Sequence, residues 1–218
     1  FRSYFNSGNS GGCRPKCLWH DREGAWLVKF RHTYDPKDIG RMEYKYNEVA
    51  RKCGINVPDY KLLDGKYFAS KRFDIENGKR LHIATAGALL NESISNPKLD
   101  YKVLLHLTGY LTQDSQQVDE MFQRMVFNVL TDNKDDHVKN FSFICREGKW
   151  SLAPAYDLTL CKEGYHGEHA TSANNKGNPD IEDMLAVGES IRIPRRKGME
   201  IINHMINHCQ EILSTRFE

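Results

Sequence analysis

The chain has 218 residues, enough for one sizeable domain or for two small lobes sharing a cleft. It is 39% hydrophobic and 28% charged, an ordinary globular balance, and no apolar run is long enough to cross a bilayer. Thirty-one basic residues against twenty-nine acidic ones leave a net charge of +2, which gives no whole-chain argument for binding nucleic acid.

The first twelve residues are polar and glycine-rich, unlike a signal peptide, and a chain opening on Phe1 rather than Met points to missing residues upstream. Within them Ser7, Gly8, Asn9, Ser10, Gly11 and Gly12 read as a flexible loop entering a hairpin. That hairpin runs through residues 17–20, the turn Asp21-Arg22-Glu23-Gly24 and residues 25–30. In its second strand Trp26, Val28 and Phe30 face one way, Leu27 and Lys29 the other. Residues 40–53 carry Met42, Tyr46, Val49 and Ala50 at helical spacing, with Gly54 as the stop. Two further strands, 60–63 and 67–73, flank the Asp64-Gly65 turn. The polar stretch 74–79 reads as a turn and marks a lobe boundary.

Beyond it the pattern is mainly helical. Residues 101–112 are predicted as a helix, and 118–130 more clearly so, with Val118, Met121, Phe122, Met125, Val126, Val129 and Leu130 on one face. A hairpin follows over 141–145 and 150–153, then a Gly- and Asn-rich loop over 171–179. Arg192, Arg195, Arg196 and Lys197 read as a solvated loop ahead of a last amphipathic helix bearing Met199, Ile202, Met205, Ile206, Cys209 and Leu213. The six cysteines (13, 17, 53, 145, 161 and 209) form no Cys-x-x-Cys pair and fit no zinc spacing, so they are expected to be reduced thiols in a cytoplasmic protein.

The run Asn133-Lys134-Asp135-Asp136-His137-Val138-Lys139-Asn140 lies between the clearest helix and the next hairpin, a loop held at both ends. Such a polar run is either a solvated turn or a site. The spacing favours a site: Asp135 precedes Asn140 by five, and the hairpin then delivers Asp157. Kinase chemistry needs an aspartate to orient the attacking hydroxyl, plus an Asn and a second Asp to hold magnesium on the phosphates. The eukaryotic kinase pattern uses the same interval of five. Glycines at the front of the chain would let backbone N–H groups approach phosphates. Lys29 could reach those phosphates, and Glu43 could pair with it. Each member alone has a bland surface reading; their order is the specific signal.

With those residues in place the chain resembles the HipA-type serine/threonine kinases, the toxin halves of bacterial toxin–antitoxin pairs. The strongest segments are Gly11-Gly12-Cys13-Arg14-Pro15-Lys16, Glu43-Tyr44 through Gly54-Ile55, 131–141, and Leu152-Ala153-Pro154-Ala155-Tyr156-Asp157. The resemblance implies that Asp135 is the catalytic aspartate, with His137 and Lys139 in the same loop match. It makes Asn140 and Asp157 the magnesium ligands, and Lys29 the ATP-phosphate lysine paired with Glu43. Gly8, Ser10, Gly11 and Gly12 would form the phosphate loop, and Lys71, Arg72 and Phe73 the adenine-side hinge. Members often carry an autophosphorylated serine in the glycine loop; Asn9 aligns there, with Ser7 and Ser10 beside it. Large members also have an N-terminal subdomain, so this chain resembles shorter kinase-core forms that work with a separately encoded partner. Known members phosphorylate an aminoacyl-tRNA synthetase and dock a DNA-binding antitoxin, touching nucleic acid only indirectly.

The expected fold is therefore α+β and two-lobed, protein-kinase-like. A sheet-rich N-lobe would span 1–75 and a larger helical C-lobe 76–218, with ATP and Mg2+ in the cleft between them. Three other readings stay open: a kinase fold acting on a small molecule, a nucleotide-binding regulator without turnover, and a magnesium nuclease built from Asp135, Asp136, His137 and Asp157.

Overall fold

The computed structural model describes residues 14–93 and 99–214. Strands β1 (Lys16–Asp21) and β2 (Gly24–Lys29) form an antiparallel hairpin with Lys16 opposite Lys29 and Trp19 opposite Trp26. Asp21 sets this turn: its Oδ1 accepts the N–H groups of Glu23 at 2.8 Å and Gly24 at 3.2 Å, and the Trp26 indole at 2.8 Å. A second hairpin joins β3 (Tyr60–Leu63) to β4 (Tyr67–Lys71). Asp64 and Gly65 both have positive φ there, 51° and 66°, and the Lys66 N–H donates to the Leu63 carbonyl at 3.0 Å to close the turn. The sheet runs β1-β2-β4-β3, and Cys17, Trp26, Val28 and Ala69 are buried against it.

Helix α1 (Ile39–Lys52) packs on β3 and β4. It ends at Cys53, with Gly54 at φ 84° and with Arg51 and Lys52 in the last turn, where they complement the carbonyl end of the helix. Residues 74–79, expected as a plain turn, instead make a small hairpin of β5 (Ile75–Glu76) and β6 (Lys79–Arg80). A boundary drawn after residue 75 falls inside β5.

The second half is built on helices α3 (Tyr101–Thr112), α4 (Ser115–Leu130), α5 (Ile181–Ser190) and α6 (Arg195–Ser214). Asp100 and Asp114 cap α3 and α4 by accepting the N–H groups of Lys102 and Gln116, both at 2.9 Å. Met121, Phe122, Met125, Val126 and Phe127 of α4 are fully buried. The buried face is wider than the expected stripe, because α3, α5 and α6 all pack on this helix. Val118, Val129 and Leu130, expected on that stripe, sit at its half-buried edge.

A three-stranded sheet completes the molecule: β7 (His82–Thr85), β8 (Ser142–Arg146) and β9 (Lys149–Leu152), with the short α2 (Ala86–Leu90) following β7. Neither β7, α2 nor α5 was anticipated from the sequence pattern. The basic cluster also differs from its expectation, since α6 begins at Arg195. The Pro194 carbonyl accepts from Gly198 and starts the helix. Arg195 pairs with Glu182, Arg196 with Glu200 and Lys197 with Asp119, so these charges are spent on the protein's own carboxylates. Ile202, Met205 and Cys209 of α6 are buried, while the Leu213 side chain lies outside the described residues. The Cys53 and Cys209 sulfurs are 4.0 Å apart as free thiols. No helix among the described residues is long and apolar enough to cross a membrane.

Candidate active site

A cleft of about 630 Å³ opens beside the four-stranded sheet. Leu18, Leu27 and Phe68 give it an apolar wall, and Lys16 and Lys29 stand along the same strands. The segment Lys71-Arg72-Phe73-Asp74 lines one side, and Tyr156 with Asp157 lines another. Arg72 is held in place twice over: its N–H donates to the Ala25 carbonyl at 2.8 Å, and its guanidinium grips Asp74 through two nitrogens. The Phe73 and Tyr156 rings stack 5.7 Å apart, joining the two sides of the cleft. The Lys71 amine turns to Asp59, 3.2 Å away.

Lys29 is the hub. Its side chain is only 9% exposed, and its amine donates both to Glu43 on α1 and to Asp157. Burial alone pulls this lysine down, but Asp157 and Glu43 outweigh it and lift it above the ordinary lysine range. Burial raises Glu43 despite its attraction to Lys29, because that side chain is 2% exposed. For Asp157 the balance reverses: burial would raise it, and the charge and hydrogen bond of Lys29 bring it below the usual carboxylate value.

The approach of α1 makes the Lys29–Glu43 contact possible. Gly40 lies one turn before Glu43, and a Cβ built on it would stand 2.0 Å from the Lys66 carbonyl oxygen. Only glycine lets the helix settle that close. Glu43 also faces Arg14, whose Nη1 is 3.4 Å away, and Arg14 reaches Asp35 at 3.2 Å. Asp157 sits in left-handed backbone, φ 56°, a strained conformation that Asp tolerates better than most residues.

The loop 131–140 faces the same region. The Asn140 amide donates to the Asp135 carbonyl at 2.7 Å. The Asp135 side chain is 58% exposed, and His137 Nε2 lies 3.8 Å from it. Desolvation by the loop raises the Asp135 carboxyl, His137 pulls it back, and Asp157 pushes it up again. His137 Nδ1 is buried with no hydrogen-bond partner among the described residues. The Lys139 side chain is exposed, and its carbonyl accepts the Tyr156 hydroxyl at 2.5 Å. Asp136 turns away from the cleft and is buried.

Lys29, Glu43 and Asp157 are thus brought into direct contact, and Asp135, His137 and Asn140 into one adjoining loop. Gly8, Ser10, Gly11 and Gly12 lie outside the described residues. Lys16, Asn47 and Tyr156, which lie in the segments that carry the resemblance but have no expected site role, all line the cleft. Lys16 had a readable signal: the short turn at Asp21–Gly24 fixes the register that sets it opposite Lys29. Among the described residues no three His, Cys, Asp or Glu side chains converge as a metal cluster.

The sequence profile of HipA-like C-terminal domains matches residues 8–213. The Sinorhizobium fredii protein Y4dM, named as a kinase, is 27% identical over 169 residues, covering 69% of this chain and 41% of that protein. Among solved structures, Shewanella oneidensis HipA, in a toxin–antitoxin complex with HipB and operator DNA, superposes with a TM-score of 0.76 at 20% identity. That match covers 97% of this chain and 59% of the HipA chain. The Helicobacter pylori proinflammatory kinase CtkA superposes with a TM-score of 0.57 at 14% identity, covering 92% of this chain and 93% of CtkA. The fold is therefore kinase-like, and the chain spans less than two thirds of Y4dM and of the Shewanella HipA.

Proposed function

We propose that this chain, which belongs to the family of HipA-like C-terminal domains, is a Mg–ATP-dependent kinase that transfers the γ-phosphoryl group to a serine or threonine hydroxyl of a protein. The observation that carries the reading is Lys29, buried at the cleft and held by Glu43 and Asp157 together. A cation fixed from two sides is prepared to meet phosphate without reorganising at the moment of transfer. Leu18, Leu27 and Phe68 supply the apolar wall that a purine needs, and residues 71–73 its polar edge.

The donor set suits magnesium. Asp157 offers an anionic oxygen, and Asn140, whose amide nitrogen is engaged by the Asp135 carbonyl, keeps its amide oxygen to offer. Two protein oxygens leave room for phosphate and water, the sparse coordination magnesium prefers. When bound, the metal neutralises charge on the phosphates. Asp135 then orients the acceptor hydroxyl and takes its proton, His137 tunes that carboxylate, and Lys139 stands exposed at the acceptor side. In this reading residues 1–75 and 76–218 act as two lobes around the cleft.

The likeness to a toxin bound to HipB and operator DNA supports a DNA-binding antitoxin as a partner here too. A synthetase acceptor rests on the family resemblance alone. The test is transfer of labelled γ-phosphate from Mg–ATP to protein in native lysate, comparing the wild type with Asp135→Ala. Label on this chain or a lysate protein, lost in the variant, is the expected result. Nucleotide binding without transfer to any protein would sink the protein-kinase reading.

A further inference from the structure

Asp136 adjoins the residue proposed to orient the acceptor, yet its side chain points into the protein and is wholly buried. Among the described residues no lysine or arginine is within ion-pair distance of it; His169 is the one residue there that could carry a positive charge beside it. A carboxylate in such a place carries a large desolvation penalty unless its oxygens are filled. They are filled. Oδ2 accepts the Tyr101 hydroxyl at 2.7 Å and His169 Nδ1 at 2.9 Å, and Oδ1 accepts the Thr171 N–H at 3.2 Å. Thr171 returns the contact, its hydroxyl donating to the Asp136 carbonyl at 2.5 Å. The Tyr101 hydroxyl in turn accepts from Asn128 of α4 at 2.9 Å, which ties the group to the core.

These donors come from separate parts of the chain. Tyr101 opens α3, whereas His169 and Thr171 belong to the loop 161–179 downstream of Asp157. That loop also touches the catalytic loop through Lys134, whose N–H donates to the Cys161 carbonyl at 3.1 Å and whose amine donates to the Gly167 carbonyl at 2.7 Å. The Lys134 contacts are backbone pairings or an exposed amine; the Asp136 contacts are buried and converge on one side chain. In many kinases the corresponding stretch is ordered only when a phosphate on it is gripped by arginine. Here a carboxylate of the catalytic loop grips the downstream loop directly, with unmodified side chains.

We propose that Asp136 is a positioning residue: by holding His169 and Thr171 it locks the loop 161–179 against the catalytic loop, so the site is organised without modification of that loop. The consequence for turnover rests on the kinase reading above; the lock itself does not.

Asp136→Asn replaces one carboxylate oxygen with an amide facing donors, and His169→Asn loosens the same contact from the other loop. Hydrogen exchange read by mass spectrometry on both single variants and the double variant tests the lock. Expected is exchange about tenfold faster over 133–140 and 161–179, with α6 unchanged and the double variant no worse than either single. Unchanged exchange, or a rise shared equally by α6, overturns the proposal. In steady-state transfer each variant should lose about 100-fold in kcat, with the KM for ATP within about twofold of wild type. Full kcat in either variant also overturns it. A wild type that transfers no phosphate counts against the kinase reading, while the exchange arm still decides the lock.

Discussion

Asn140 donates its side-chain amide to the backbone carbonyl of Asp135 at 2.7 Å, so two residues five apart are closed into a single loop. The contact fixes where the Asp135 backbone runs while leaving its carboxylate 58% exposed to a substrate. Asn140→Ala opens that loop and removes an oxygen donor. Transfer of labelled phosphate should fall by about 100-fold, and the loop's position at the surface keeps the melting temperature within about 2 °C of wild type.

Removing Lys29 takes from the buried Glu43 carboxylate its nearer cation and leaves it the longer Arg14 contact at 3.4 Å. Lys29→Met should therefore destabilise the protein by about 3–5 kcal/mol, read from urea unfolding. Adding Glu43→Gln to that variant removes the stranded charge and should restore a large part of the loss, although nucleotide binding stays weak. A double variant as unstable as the sum of the two singles would show that the pair does not act as a unit.

Gly40→Ala tests the close approach of α1. Alanine inside a helix ordinarily gains about 1 kcal/mol over glycine. Here its Cβ would meet the Lys66 carbonyl at 2.0 Å, and a backbone atom cannot swing aside. The expected sign is reversed: lower melting temperature, and weaker nucleotide binding as Glu43 is carried away from Lys29. A variant more stable than wild type would contradict the packing described.

Asp135 lies above the ordinary aspartate range, mainly through desolvation, with His137 holding it partly down. A base must be deprotonated to act, so kcat should rise with pH through a limb placed above the ordinary aspartate value of about 4. His137→Gln removes the influence that lowers Asp135, and the limb should move to higher pH. A limb that stays in place or moves down would separate the two residues. Asp157 behaves oppositely in stability: held below its usual value chiefly by Lys29, its pairing contributes above the unfolded aspartate pKa and is lost as pH falls through the folded one.

Much of the site was legible because each part obeys a local rule. The turn chemistry of Asp21–Gly24 and Asp64-Gly65 gives the hairpins their registers, and the apolar spacing along α1 and α4 gives the helices. β7 was not legible, since four residues carry no period and their partners in β8 are about sixty residues away. Nor was α5, a short helix whose apolar residues bunch at Met184-Leu185-Ala186-Val187 and whose start depends on a capping box between Asp180 and Asp183.

By itself the sequence determined most of the elements and the order of the chemistry along the chain, because hydrophobic period and turn residues act over a few positions. Only the tertiary structure decided which charges meet. Lys29 is fourteen residues from Glu43 and 128 from Asp157, and no local rule states that both will reach it. It also separated Asp135 from Asp136, two adjacent and identical side chains, by exposing one and burying the other. The reason is physical: burial and pairing set the energy of a charge, and both are properties of the packed fold rather than of the residue.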